Sequence, residues 1–216
     1  MTVSSIRCCI KPKFAMWFVL TSRVVILSML IAMLLLSATA RATGEIQITF
    51  VGLDVVEEGY QLNVDAKIVL SSILEQALEK GISLYFVTKF SVLNPRWYWF
   101  DEEVARSKLR MELSYYALTR KYRLSHGSWS QSFDTLDEAL RVLSRLRGRP
   151  VFVKSELEQG VDYIARLRMW LDVSRLAKPF QMETLGSKAW NLTSDTLEWR
   201  TNVPLSTQKL YKKEEL

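Results

Sequence analysis

The chain has 216 residues, of which 29 are basic and 23 acidic, so its formal net charge at pH 7 is +6. Residues 1–40 hold four of the basic side chains and none of the acidic ones, which leaves 25 basic against 23 acidic in the rest of the chain. Nucleic-acid binding requires a basic stripe on the folded body. So small a surplus of basic over acidic residues predicts no such stripe. We therefore expect no nucleic-acid partner.

The chain has two cysteines, Cys8 and Cys9, and both precede the long apolar run near the N-terminus. A body without cysteine forms no disulfide and offers no thiolate to a metal ion. We therefore expect a domain that is stabilised by its hydrophobic core alone. About 170 residues suffice for this, because a chain of that size buries roughly two-thirds of its unfolded surface.

Residues 1–40 have the pattern of an export signal. Four cations precede an uncharged apolar run over residues 24–37, and Ala38-Thr39-Ala40 follows as a small-residue cleavage site, with Ala40-Arg41-Ala42 as a second candidate. This order of regions is typical of a signal peptide, and the apolar run is short for a membrane span, which needs about 20 residues. We expect a signal whose cleavage Ala38 and Ala40 mark, and a periplasmic body.

The alternative is an uncleaved anchor in the inner membrane. The positive charges lie on the N-terminal side of the apolar run, so an anchor would also leave the body in the periplasm. Both interpretations place the body outside the cytoplasm.

From residue 44 onward the hydrophobic pattern mostly has a period of two. Residues 45–50 and 60–70 alternate on either side of a Glu57-Glu58-Gly59 turn, which predicts a hairpin. The capping box Ser72-x-x-Glu75, with Gly81 after it, predicts a short helix. Residues 82–93 predict a further strand.

Residues 108–117 give the clearest strand, because apolar side chains alternate strictly with polar ones. Such alternation is typical of an antiparallel sheet with one buried and one wet face. His126-Gly127 predicts a two-residue hairpin loop that sets Leu124 opposite Trp129.

A second capping box, Thr135-x-x-Glu138, predicts a helix that ends at Gly148, and residues 161–173 predict a last long strand. We expect one β-rich domain over residues 41–200 and a polar, disordered tail over 201–216. The predicted fold is mainly β: an antiparallel β-sandwich, immunoglobulin-like in style, with two short helices after the N-terminal signal or anchor helix.

Residues 94–103, NPRWYWFDEE, place four aromatic side chains between a cation and three acids. Interpreted as a strand that follows a bulge at Pro95, the run forms two aromatic pairs on opposite faces. Trp97 and Trp99 would share one face, and Tyr98 and Phe100 the other. The favoured interpretation is that one pair completes the core, because aromatic side chains suit buried pleated surfaces.

A functional alternative makes the outward pair an edge that binds a peptide, glycan or protein. Trp, Tyr and Arg are enriched in the residues that dominate binding energy. The predicted contact residues are Arg96, Trp97, Trp99 and Asp101.

The acids of this segment also raise the alternative of catalysis or calcium binding. Asp101-Glu102-Glu103 lacks the alternating spacing and the glycine of an EF-hand loop. Neighbouring carboxylates in a strand point to opposite faces, which is poor geometry for a general acid and base.

Recognisable catalytic motifs are absent from the sequence. His126 is the single histidine, and no G-x-S-x-G, H-E-x-x-H, P-loop or G-x-G-x-x-G pattern occurs. We expect a protein without enzymatic activity, cofactor or metal site.

Four stretches in order resemble one family: GISLYFVTKF, NPRWYWFDEEVA, LSYYALTRKYRLSHG and LRMWLDVSRLAKPFQ. They are similar to the proteobacterial exported family known as domain of unknown function 4390, over about residues 45 to 200. The resemblance implies an exported protein, often encoded beside a membrane sensor kinase and its response regulator. It implies no activity, cofactor or catalytic residue.

The preferred hypothesis is a periplasmic interaction module that modulates a membrane-bound sensor histidine kinase. The second hypothesis is a small-ligand or lipid-binding sandwich of the envelope, whose aromatic side chains line an internal pocket. An envelope enzyme that acts on glycan is the third.

Overall fold

The computed structural model describes residues 44–98, 100–158, 160–176, 188–202 and 208–212. The described residues all belong to one compact unit. The predicted cleavage residues Ala38 and Ala40, the apolar run before them and Trp99 lie outside the described residues.

The described part of the chain consists mainly of strands, with two short helices between them. The strands are β1 (Glu45–Val55), β2 (Gly59–Val69), β3 (Leu84–Asn94), β4 (Glu102–Tyr116), β5 (Lys121–His126), β6 (Trp129–Phe133), β7 (Arg145–Val153), β8 (Asp162–Leu171), β9 (Leu197–Asn202) and β10 (Gln208–Lys212). The helices are α1 (Ser72–Glu79) and α2 (Leu136–Leu143). No helix of these described segments is both long and apolar enough to cross a bilayer.

The strands form two antiparallel sheets. One has four strands in the order β10–β1–β2–β7, and the other has six in the order β6–β5–β4–β3–β8–β9. The predicted class, mainly β with antiparallel sheets and two short helices, is confirmed.

The inner face of the six-stranded sheet is covered in two parts. The four-stranded sheet covers one part, and the cluster between the sheets includes Val51, Leu62, Val64, Phe90, Val92, Leu109, Ala165 and Leu167. Both helices cover the other part, in a cluster that includes Leu74, Leu78, Leu84, Phe86, Leu113, Ala139, Leu143 and Met169. Burial of these apolar side chains is the main stabilising term for the fold.

Strict alternation predicted the faces of two strands correctly. In β4, Leu109 and Leu113 are buried while Lys108 and Arg110 are exposed. In β8, every second residue from 163 to 171 is buried. Both strands cross the six-stranded sheet with one face on the core and the other toward solvent, as antiparallel sheets allow.

The second helix is shorter than predicted. Thr135 is its N-cap, and the side-chain oxygen accepts a hydrogen bond from the Glu138 backbone N–H at 3.3 Å, as the capping box predicts. The helix ends at Leu143 instead of Gly148, because the next residues leave it to pair with β2 as strand β7. Gly148, at φ 55°, lies where the β2–β7 register shifts.

The β5–β6 hairpin also differs from its predicted register. Leu124 lies opposite Gln131 rather than Trp129, which pairs with His126. Gly127 has φ 57° and occupies the first central position of the turn, where a type II′ turn takes glycine. The glycine was the right signal, but the loop begins one residue later than predicted.

Structure continues into the segment that was predicted to be a disordered tail. Strand β9 extends to Asn202, and strand β10 pairs antiparallel with β1, with Val51 opposite Tyr211. An edge strand leaves a row of backbone N–H and C=O groups unpaired. Strand β10 supplies partners to that edge of β1.

Candidate functional site

The described residues of the four-aromatic run, Trp97, Tyr98 and Phe100, lie in the connection between β3 and β4 and are not part of a strand. Strand β3 ends at Asn94 and β4 begins at Glu102. Pro95 has no N–H to donate to a ladder, and the β3–β4 register already shifts between Val92 and Leu93. The interpretation of the run as a continuing strand is therefore wrong for its described residues. Residues 95–98, 100 and 101 form the tip of a long hairpin, which we call the aromatic tip.

The described aromatic side chains of the tip are exposed to solvent. Trp97 is 93%, Phe100 86% and Tyr98 66% exposed. Large apolar side chains of this size usually bury 150–250 Å² each. The interpretation that one aromatic pair completes the core is therefore wrong for these residues.

The tip has some internal order of its own. The rings of Trp97 and Tyr98 meet edge to face, with centroids 5.1 Å apart and an interplanar angle of 72°. Edge-to-face contact is one of the two preferred geometries for aromatic pairs. Neighbouring residues of the tip therefore present one joint apolar surface.

Ion pairs join the two strands below the tip. Arg96 pairs with Glu102, the first residue of β4. Deeper in the hairpin, Glu103 contacts Lys89 of β3 at 2.7 Å and Arg106 of β4 at 3.3 Å. The charged residues that flank the aromatics in the sequence thus tie β3 and β4 together where the tip begins.

The same contacts bear on the alternative of carboxylate chemistry. Glu102 and Glu103 each have a cation as nearest charged partner, and Asp101 is exposed beside Phe100. Within the described segments, no group of three His, Cys, Asp or Glu side chains could hold a metal ion. The geometry gives Glu102 and Glu103 a structural role in the hairpin.

The contact residues predicted from the sequence cover only part of the exposed surface of the aromatic tip. Three of the predicted contact residues are exposed on the tip: Arg96, Trp97 and Asp101. The fourth, Trp99, lies outside the described residues. Tyr98 and Phe100 were assigned to the opposite face of a strand. The Asn94-Pro95 dipeptide was the available signal, because it marks a turn, and in a turn the alternation of faces no longer applies.

The described rings of the tip do not line an internal cavity. The buried aromatic contacts lie elsewhere, between the sheets, where Phe90 stacks on Phe152 with centroids 5.8 Å apart and lies 5.9 Å from Trp199. Trp97, Tyr98 and Phe100 therefore do not form an internal pocket.

Comparison with known proteins identifies a family for this chain. The model of a family described as a domain of unknown function, DUF4390, matches residues 43–200. No curated protein and no solved structure matches the chain.

Proposed function

Because the chain belongs to the DUF4390 family, whose description names no activity, we propose its function from its own sequence and geometry: it is an exported, non-enzymatic interaction module. The N-terminal sequence pattern supports export. The aromatic tip of the β3–β4 hairpin is the contact surface. The partner is a membrane protein of the envelope that offers a hydrophobic pocket to the tip.

The exposure of the aromatic tip is the observation that carries this proposal. Trp97, Tyr98 and Phe100 are presented together at the end of a hairpin that ion pairs brace. Transfer of apolar surface out of water contributes roughly 25 cal/mol per Å², so burial of the exposed rings in a hydrophobic pocket contributes favourably to docking. Trp, Tyr and Arg are also the residue types that dominate measured interface energies.

Charges around the tip favour a protein partner over an anionic lipid surface. Asp101 adjoins the aromatics, and Glu102 neutralises Arg96, the one cation within residues 95–101. Anionic headgroups attract cationic segments and would repel an exposed carboxylate. A pocket with a cation at its rim fits both the rings and Asp101.

The finer identity of the partner is proposed on a different basis. Resemblance to a family often encoded beside a membrane sensor kinase supports a sensor histidine kinase as the partner class. The geometry of the tip supports only the surface chemistry of the partner, which is a hydrophobic pocket.

The test is crosslinking of the full chain in its native envelope, followed by purification and identification of crosslinked proteins. We expect Trp97→Ala/Phe100→Ala to lose a membrane protein that the wild type recovers. The matched control is Leu118→Ala, since Leu118 is also fully exposed but lies in the β4–β5 connection at the other end of β4. Equal recovery of every protein by both variants would reject the aromatic tip as the contact surface.

Export is tested separately, so that its failure is distinguishable. Fractionation of cells that produce the full chain should place the body in the periplasm. N-terminal sequencing of that product should begin after Ala40 if the signal is cleaved, and at the original N-terminus if it anchors the protein. An intact product in the cytosol would contradict export.

A further inference from the structure

A row of three cations crosses the outer face of the six-stranded sheet. Lys89 of β3 lies directly opposite Lys108 of β4 on one side and Arg168 of β8 on the other. Directly opposite side chains in antiparallel strands have Cβ atoms about 5 Å apart, and like charges in such pairs are destabilising. This arrangement therefore costs stability unless an anion compensates it.

Nearby carboxylates compensate only part of this charge. Glu103 contacts Lys89 and Arg106, and Glu198 pairs with Arg166. In the described part of the chain, no carboxylate lies within ion-pair distance of Lys108, Arg110 or Arg168. We call these three residues the basic cluster.

Trp170 holds two members of the basic cluster in place. The Lys108 Nζ lies 5.6 Å from the centroid of the Trp170 ring, and the Arg168 Cζ lies 5.8 Å from it. Arg168 also donates from Nε to Thr193 Oγ1 at 3.2 Å. Cations within about 6 Å of an indole ring are attracted to its face, so these side chains are partly ordered before any ligand arrives.

An open cavity adjoins the basic cluster on the side of β5. Lys108, Arg110, His126 and Gly127 line it, and its volume is about 370 Å³. The His126 Nδ1 donates to the backbone carbonyl oxygen of Arg110 at 2.7 Å, which fixes the orientation of the ring. Gly127 leaves space, since a Cβ added there would meet no atom within 4 Å.

We propose that the basic cluster and this cavity bind a phosphate group, with Lys108 and Arg110 at the cavity and Arg168 adding positive charge beside it. A phosphate monoester carries a charge of about −1.5 to −2 at pH 7 and offers three strong acceptor oxygens, which matches several neighbouring cations better than a single carboxylate does. Arginine adds a planar fork of donors that fits phosphate in a bidentate manner. The source of the phosphate is either a soluble phosphorylated compound or a lipid headgroup.

This site is separate from the aromatic tip. Lys89 lies five residues before the end of β3, which corresponds to roughly 17 Å of strand. The inference therefore goes beyond the proposed function and does not depend on it.

The test is titration of the full chain in zwitterionic detergent micelles. One arm adds sodium pyrophosphate at constant ionic strength. The other arm adds lipid to the micelles and replaces phosphatidylcholine with phosphatidic acid, whose headgroup is a phosphate monoester. The readout is tryptophan fluorescence, with Trp170→Phe to identify the part of the signal that comes from Trp170. We expect a saturable change, because an anion draws Lys108 and Arg168 away from the indole ring.

The decisive variant is Lys108→Gln/Arg110→Gln. We expect it to weaken phosphate binding by about tenfold or more, since a hydrogen bond to a charged group contributes about 1.5–3 kcal/mol. Lys67→Gln is the matched control, because Lys67 is an exposed cation of the other sheet and should leave binding within about twofold. Arg168→Gln serves as a second variant if the double variant does not fold.

Each outcome decides the proposal. A response to pyrophosphate alone indicates a soluble phosphorylated ligand, and a response to phosphatidic acid alone indicates a headgroup; either supports the site if the variant loses it. Equal titrations of wild type and variant, no response in either arm, or the same change from sodium chloride would overturn it.

Discussion

Arg96 and Glu102 form an ion pair that joins the two ends of the segment bearing the exposed rings. Both side chains are partly exposed, and exposed ion pairs typically contribute about 0.2–1 kcal/mol to stability. We therefore expect Glu102→Gln to lower the free energy of unfolding by less than about 1 kcal/mol. Chemical denaturation of both proteins measures this.

A double-mutant cycle with Arg96→Gln isolates the pair itself. The coupling energy should be no more than about 1 kcal/mol and should shrink at high salt, because screening weakens exposed pairs. A coupling of several kcal/mol would mean that the pair is buried in the folded protein, contrary to its observed exposure.

Truncation of the tip should leave stability nearly unchanged. Trp97 and Phe100 project into solvent, so Trp97→Ala/Phe100→Ala should alter the free energy of unfolding by no more than about 0.5 kcal/mol per site. Phe90→Ala is the contrast, because Phe90 is buried between the sheets and its loss should cost about 3–5 kcal/mol. Thermal or urea denaturation compares them, and a large loss in the tip variant would show that the rings pack against the body.

The strands that were predictable share one property. Every second residue over 109–115 and over 163–171 is apolar or aromatic, so hydrophobic period identifies the strand and its buried face. Strand β7 does not alternate and contains Gly148 and Pro150, which normally argue against a strand interior. Pairing with β2 overrides that local preference. Because β2 is far from β7 in the chain, the local sequence does not predict this pairing.

The aromatic tip was harder to predict for a related reason. Trp, Tyr and Phe have high strand propensity because they fit half-buried pleated surfaces, so four in a row favour a strand. Whether a surface covers them depends on where β3 ends. Pro95 sets the end of β3. Whether a proline ends a strand or forms a bulge within it depends on how the strand pairs with its neighbours, which the local sequence does not show.

Gly59 provides a test of how closely β2 and β7 approach. A Cβ added at Gly59 would lie 2.3 Å from the Phe152 backbone carbonyl oxygen and 3.0 Å from the Val153 Cα. Backbone atoms cannot move away cheaply, and overpacking typically costs about 1–3 kcal/mol. Gly59→Ala should therefore destabilise the protein by at least that range, measured by urea denaturation.

The control for this substitution is Glu58→Ala at the preceding, exposed position, which should be nearly neutral. If Gly59→Ala were as stable as the control, β2 and β7 would have to lie further apart at this end than their observed pairing of Gly59 with Val153.

Three tyrosines predict how stability declines at alkaline pH. Burial raises the pKa of Tyr60, Tyr85 and Tyr122 above the ordinary value of 10.0, and the charge of Glu112 adds to the effect on the pKa of Tyr85. The folded protein thus keeps these protons at pH values where the unfolded chain releases them. By linkage, the stabilisation is fully present below about pH 10 and is lost as the pH rises through the folded-state pKa values.

The measurement is the free energy of unfolding from pH 8 to 12 for the wild type and for Tyr→Phe variants at these three positions. Each replacement removes one group that titrates differently in the two states, so the decline above about pH 10 should become shallower with each substitution and shallowest in the triple variant. Lysines also titrate in this range, but they are common to the wild type and all the variants and cancel in the comparison. A triple variant that loses stability as steeply as the wild type would show that these phenols ionise equally in the folded and unfolded states.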